Sequence, residues 1–89
     1  MISKKELNSI DEHYFNVIHK GCYAIYLQSK NTKHFWGIIE EKYPTFRHFQ
    51  IYHKHNHNDE YHRHRDRSNL NKAITSIKEH DVFQLNGRK

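Results

Sequence analysis

The chain's sequence predicts an α+β fold: an N-terminal helix, an antiparallel sheet of three to five strands, a second helix packed on the same sheet face, and a short C-terminal strand or tail. Three observations lead there. A capped segment of helical periodicity opens the chain, and a second apolar helical stripe follows near its end. Between them, strand-like runs are separated by short turns rather than by helices, which suits antiparallel pairing. At 89 residues the chain supports one small domain, spanning 1–89, with one core.

The opening helix is marked by Ser3 and Glu6, spaced as a capping box, with Ile2 placed to staple onto Leu7. Leu7, Ile10, Tyr14, Val17 and Ile18 then recur at helical spacing. Gly21 follows as an expected left-handed C-cap, so the helix is expected to reach Lys20. Residues 22–28 are rich in strand formers, with Cys22 expected as a buried thiol. Residues 34–40 read as the returning strand of a hairpin, with Trp36 in the core and Gly37 marking a bulge or a close helix approach. Pro44 marks a break. Residues 46–55 give a third strand, 56–59 a turn and 60–65 a fourth strand. Leu70, Ala73, Ile74 and Ile77 form the stripe of a helix running to about His80, after which Asp81 is expected to end it or to cap a turn. Val82, Phe83 and Leu85 are expected in a last short strand or a docking segment.

Composition limits the function classes. Lys and Arg number 15 against 10 Asp and Glu, a formal charge of +5, and 10 His stand in reserve. Most of the excess lies in residues 46–89, whose net charge is +4 against +1 for the first half. No apolar run approaches the roughly 20 residues that cross a bilayer, and the first residues lack a secretory pattern. One cysteine permits no internal disulfide and no cysteine-type zinc site. A cytoplasmic protein is the expectation.

Six of the ten histidines fall in residues 46–67. With an even-numbered turn at 56–59, His53 faces His62 and Ile51 faces His64. One face then carries Phe49, Ile51, His53, His55, Glu60, His62 and His64. The other carries His48, Gln50, Tyr52, Lys54, Tyr61, Arg63, Arg65 and Arg67. An odd-numbered loop reverses the partition.

Cations neutralise phosphates, and tyrosine rings stack on unpaired bases. The leading expectation is therefore a nucleic-acid-binding or regulatory protein. Lys54, Arg63, Arg65, Arg67 and His48 would contact the backbone, and Tyr52 and Tyr61 would stack on bases. The plain alternative is a solubilising surface. No cofactor is expected under the leading reading. A second expectation is a zinc-binding module using His53, His55, His62 and His64. A third is a protein-interaction module, pairing with a partner or a second copy through a sheet edge or open face. Catalysis is the least supported: His53, His62, Tyr61, Arg63 and Arg65 are the residue types of a metal-independent ribonuclease, but sequence does not bring them together.

The order helix, three strands, helix is similar in topology and size to that of double-stranded-RNA-binding domains. That resemblance implies a basic Ser-Lys-Lys run opening the second helix, preceded by Gly-x-Gly. Neither is present, and Arg63, Arg65 and Arg67 lie just ahead of the helix instead.

Overall fold

A computed structural model describes residues 1–42 and 47–86. The expected break at Pro44, the start of the third strand at Phe46 and the tail from Gly87 lie outside the described residues. The elements are α1 (Lys4–Asn8), β1 (Phe15–Lys20), β2 (Ala24–Ser29), β3 (Phe35–Lys42), β4 (Arg47–Lys54), β5 (His62–Arg67) and α2 (Leu70–Asn86). The five strands form one antiparallel sheet in sequence order, a meander with β1 and β5 at its edges. The fold is thus α+β, with a tiny N-terminal helix and one long helix after the sheet. Its five strands depart from the helix, three strands, helix order.

The capping box forms: Ser3 Oγ accepts from the Glu6 amide and Glu6 Oε1 accepts from the Ser3 amide. The helix it starts lasts only five residues. Ser9 Oγ donates to the Glu6 carbonyl, and Asp11 Oδ1 accepts from the amides of His13 and Tyr14, turning the chain. The expected continuation to Lys20 is replaced by β1. Tyr14, Phe15, Val17 and Ile18 fit a helical stripe, yet β-branched and aromatic residues also suit a strand, and pairing with β2 decides between them. Phe15 is buried and Val17 half-buried, with the exposed Asn16 between them. Gly21 has no left-handed backbone and is no helix cap; its amide donates to the Ala24 carbonyl in the β1–β2 turn.

One sheet face holds the core. Phe15, Ile25, Leu27, Trp36, Ile38, Phe49 and Ile51 are all but inaccessible there, and Ile2, Ile10, Leu70, Ala73 and Ile77 join the same cluster. Cys22, expected to be buried, is exposed. Gly37 marks neither a bulge nor a helix contact: β3 pairs regularly through it, and the Tyr26 ring lies over it. A Cβ at that position would stand 3.0 Å from Tyr26 Cε1.

The expected strand at residues 82–85 is helix, and Val82, Phe83 and Leu85 are exposed on it. Asp81 does not end α2 but lies inside it, fully buried. Its Oδ2 accepts from Tyr14 Oη at 2.7 Å and Ser29 Oγ at 2.6 Å, and its Oδ1 accepts from Thr32 Oγ1 at 3.0 Å. Trp36 Nε1 donates to Ser29 Oγ at 3.1 Å. These bonds satisfy a buried carboxylate and tie α2 to Tyr14 just ahead of β1, to the end of β2 and to the β2–β3 connection. Burial, and then the Asp81 bond, push the Tyr14 phenol up to about 12.

The N-terminal segment is fastened by charge. Arg47 lies 2.7 Å from Glu40 Oε2 and 2.9 Å from Glu6 Oε2, and the Met1 ammonium is 2.9 Å from Glu40 Oε1. Burial alone would raise the Glu40 carboxyl, but the Met1 and Arg47 cations outweigh it and hold the group below its ordinary value.

Candidate functional site

The β4–β5 hairpin decides which polar side chains share a face. His53 pairs with His62 and Tyr52 with Arg63, but Ile51 pairs with Arg65 rather than with His64. A bulge between these pairs inserts one residue into β5 and reverses the parity beyond it. The expected row of Arg63, Arg65 and Arg67 is therefore split. Arg63 shares the Tyr52 face and lies 3.5 Å from Asp66. Arg67 crosses to the helix side, where Nε donates to Ser76 Oγ at 2.9 Å and Nη1 to the Asp66 carbonyl. Arg65 is exposed and borders a cleft with His64, Ser76, Glu79 and His80.

The face opposite α2 is aromatic. Tyr26, Gly37, Tyr52 and Arg63 lie in one row across β2 to β5. The Tyr61 ring reaches within 5.8 Å of the Tyr26 ring, and His19 approaches Tyr26 from β1 at 6.1 Å. Lys54 Nζ stands 4.6 Å from the Tyr61 centroid and 5.3 Å from that of Phe35, and donates to the His57 carbonyl. Phe35, Tyr26, Tyr52 and Tyr61 are half-buried. His48, Gln50 and Glu41 continue this face; His48 Nε2 lies 2.8 Å from Asp66 Oδ2, and Gln50 Nε2 donates to Glu41 Oε1. Lys54, Tyr52, Tyr61, Arg63 and His48 thus lie on the open side, whereas Arg65 and Arg67 do not. Tyr26 and Phe35 belong to the platform too. Their alternation with Leu27 and Trp36 was readable, but the covered face had to be known first.

The histidines assemble on the helix side. His53 lies on the Trp36 indole at 4.1 Å between centroids and 22° between planes. His53 Nε2 and His34 Nδ1 are 3.1 Å apart, within hydrogen-bond distance. The ligand atoms of His34, His53 and His80 all lie within 4.8 Å of one another. His55 stacks on His34 at 4.2 Å and 10°, and His64 lies 5.0 Å from His80 edge-on. Burial, followed by the neighbouring His80, His34, His55 and His64, drives His53 down to about 3, so its ring is neutral at ordinary pH. Burial and then His80 lower His64 as well.

Of the four histidines grouped from sequence, His53, His55 and His64 lie in or beside this cluster. His62 is exposed and lines a shallow cleft with His53, Lys54, His55 and Asp59. His34 and His80 escaped the sequence reading because they come from the β2–β3 connection and from α2, 19 and 27 residues from His53. The available signal was Trp36, two residues after His34, whose burial fixes where that connection ends.

Among the described residues no helix is long and apolar enough to cross a membrane. No protein-family model, curated protein or solved structure matches the chain.

Proposed function

We propose that this protein binds single-stranded nucleic acid across the open face of its sheet, in the cytoplasm, as a binding or regulatory factor. The observation that carries the reading is the aromatic platform of Tyr26, Phe35, Tyr52 and Tyr61 with the Lys54 ammonium set among the rings. Flat rings with one side wet offer stacking surfaces to unpaired bases, which every base can use. Lys54 and Arg63 meet phosphates on either side of the stack, and the overall charge of +5 draws the polyanion in. Arg65 and Arg67 contribute at longer range, since they lie outside the platform. A duplex hides its bases from such a surface, so single strands are preferred.

The test is binding of fluorescent single- and double-stranded oligonucleotides between 50 and 300 mM salt. Single strands are expected to bind with a Kd of about 1–20 μM at the low end and to weaken steeply with salt. Tyr61→Ala and Tyr52→Ala should each weaken binding by about 5- to 150-fold, a base stack being worth about 1–3 kcal/mol. A Kd above about 100 μM at 50 mM salt, or no salt dependence, overturns the proposal.

A further inference from the structure

On the opposite side of the sheet, we propose that His34, His53 and His80 form a binding site for one divalent transition-metal ion of the zinc class. The site stands apart from the open-face platform, and neither proposal depends on the other.

The geometry is close to what such an ion requires. Zinc–imidazole bonds of about 2.0–2.1 Å in a tetrahedron put neighbouring ligand nitrogens about 3.3–3.4 Å apart. His53 Nε2 and His34 Nδ1 already stand at 3.1 Å, and the His80 ligand atom is within 4.8 Å of both. A turn of the His80 side chain, whose Nε2 now lies 3.4 Å from Gln84 Nε2, would bring in the third ligand. Both lone pairs face the ion once any proton between these two nitrogens leaves, to a ring's outer nitrogen or to solvent.

Surroundings favour the same reading. His53 is held flat on the buried Trp36, and His80 meets that indole edge-on at 5.3 Å, so the indole backs two of the three ligands. The ligands come from three separate parts of the chain, and an ion there would clip α2 onto the sheet. All three donors are imidazole nitrogens, which suit zinc, cobalt, nickel and copper rather than calcium or magnesium. The buried carboxylate next to His80 in α2, that of Asp81, is occupied by three hydroxyls and faces Tyr14, Ser29 and Thr32 instead. His55 lies nearly parallel to His34, so its lone pairs run beside those of His34 and do not converge with them. Among the described residues only these three bring ligand atoms within 4.8 Å of one another, and His64 is not among them, so the fourth position falls to water or an exogenous anion, as in open zinc sites.

The experiment uses tag-free protein stripped with EDTA and titrated with Co²⁺ by visible absorption and with Zn²⁺ by calorimetry. One equivalent is expected, with a Kd below about 10 μM and the visible bands of four-coordinate cobalt. A hundredfold excess of Zn²⁺ over Kd should raise Tm by about 10–20 °C. His34→Ala and His80→Ala should each weaken binding at least tenfold, while His62→Ala, exposed on the same hairpin, leaves it unchanged. Imidazole nitrogen NMR of the unaltered protein gives a second readout, with Zn²⁺ shifting His34, His53 and His80 but not His62. Absence of saturable binding below about 100 μM, or equal losses from His62→Ala and His80→Ala, overturns the proposal.

Discussion

Beneath α2, the sheet buries Trp36, Phe49 and Ile51 and surrounds a carboxylate with three hydroxyl donors. On its other side the same strands present Tyr26, Tyr52 and Lys54, each half in solvent. The pleat sends alternate residues of one strand into these two environments: Ile51 and His53 inward, Tyr52 and Lys54 outward. What differs is the cost of change. A polar group removed under α2 strands its partners away from water, whereas one removed from the open side is replaced by water. The covered side therefore sets stability, and the open side is available for recognition.

The sharpest way to break this contrast is Asp81→Ala. It leaves the hydroxyls of Tyr14, Ser29 and Thr32 without their acceptor and opens a void beside Ser29, which holds the Trp36 indole. Each stranded buried hydroxyl costs about 1–3 kcal/mol, and some relax toward solvent, so a loss of about 3–5 kcal/mol is expected. Urea unfolding reads it directly, and a loss below about 1 kcal/mol would show that the network is dispensable. Tyr14 and Thr32 are not fully buried, so Asp81→Asn, which keeps one acceptor oxygen, should cost less.

Gly37→Ala probes the other side. The added methyl meets the Tyr26 ring at 3.0–3.2 Å and must displace it, but that ring is half-exposed and free to swing outward. Losing glycine's backbone freedom returns about 0.5–1 kcal/mol, which offsets the displacement. Stability should therefore move by less than about 1 kcal/mol. Oligonucleotide affinity should fall several-fold, because Tyr26 leaves its place beside Tyr61. A large stability loss with intact binding would reverse the assignment of the two faces.

How much of this was legible depends on how local each determinant is. The turn at residues 56–59 and the strands beside it could be read from their own residues, and His53 does face His62. The bulge could not, because it adds a residue without a glycine or any other local mark, and it alone moves Arg67 across the sheet. The first strand was hidden by Tyr14, Phe15, Val17 and Ile18, which satisfy both the helical and the extended period; only pairing with β2 separates the two. Likewise, nothing near Asp81 announces that the helix continues through it. Its partners lie 49, 52 and 67 residues away, and their bonds make a buried acidic residue acceptable there. Beyond the hint that Trp36 gave for His34, the His34, His53 and His80 cluster was illegible for the same reason: each member comes from a different element.

The smallest expected effect lies at the margin between buried and exposed, in the pair of Glu6 and Arg47. The Arg47 guanidinium, and then the Ser3 amide, hold the Glu6 carboxyl down at about 2, against an ordinary value of 4.5. A carboxylate whose folded value is depressed adds stability above its unfolded value and loses it as pH falls toward the folded one. The contribution should thus be complete above about pH 5 and disappear between about 4.5 and 2. Water reaches both partners, which screens the pair to about 0.2–1 kcal/mol, and the two-pronged contact of Nη1 and Nη2 on the carboxylate places it in the upper half. Comparing Glu6→Gln with the unaltered protein at each pH cancels the other titrating groups, including the histidines. Their Tm values should differ by a few degrees at pH 6 and converge near pH 2. A gap that persists unchanged to pH 2 would mean that Glu6 acts through its shape and its neutral hydrogen bonds rather than through its charge.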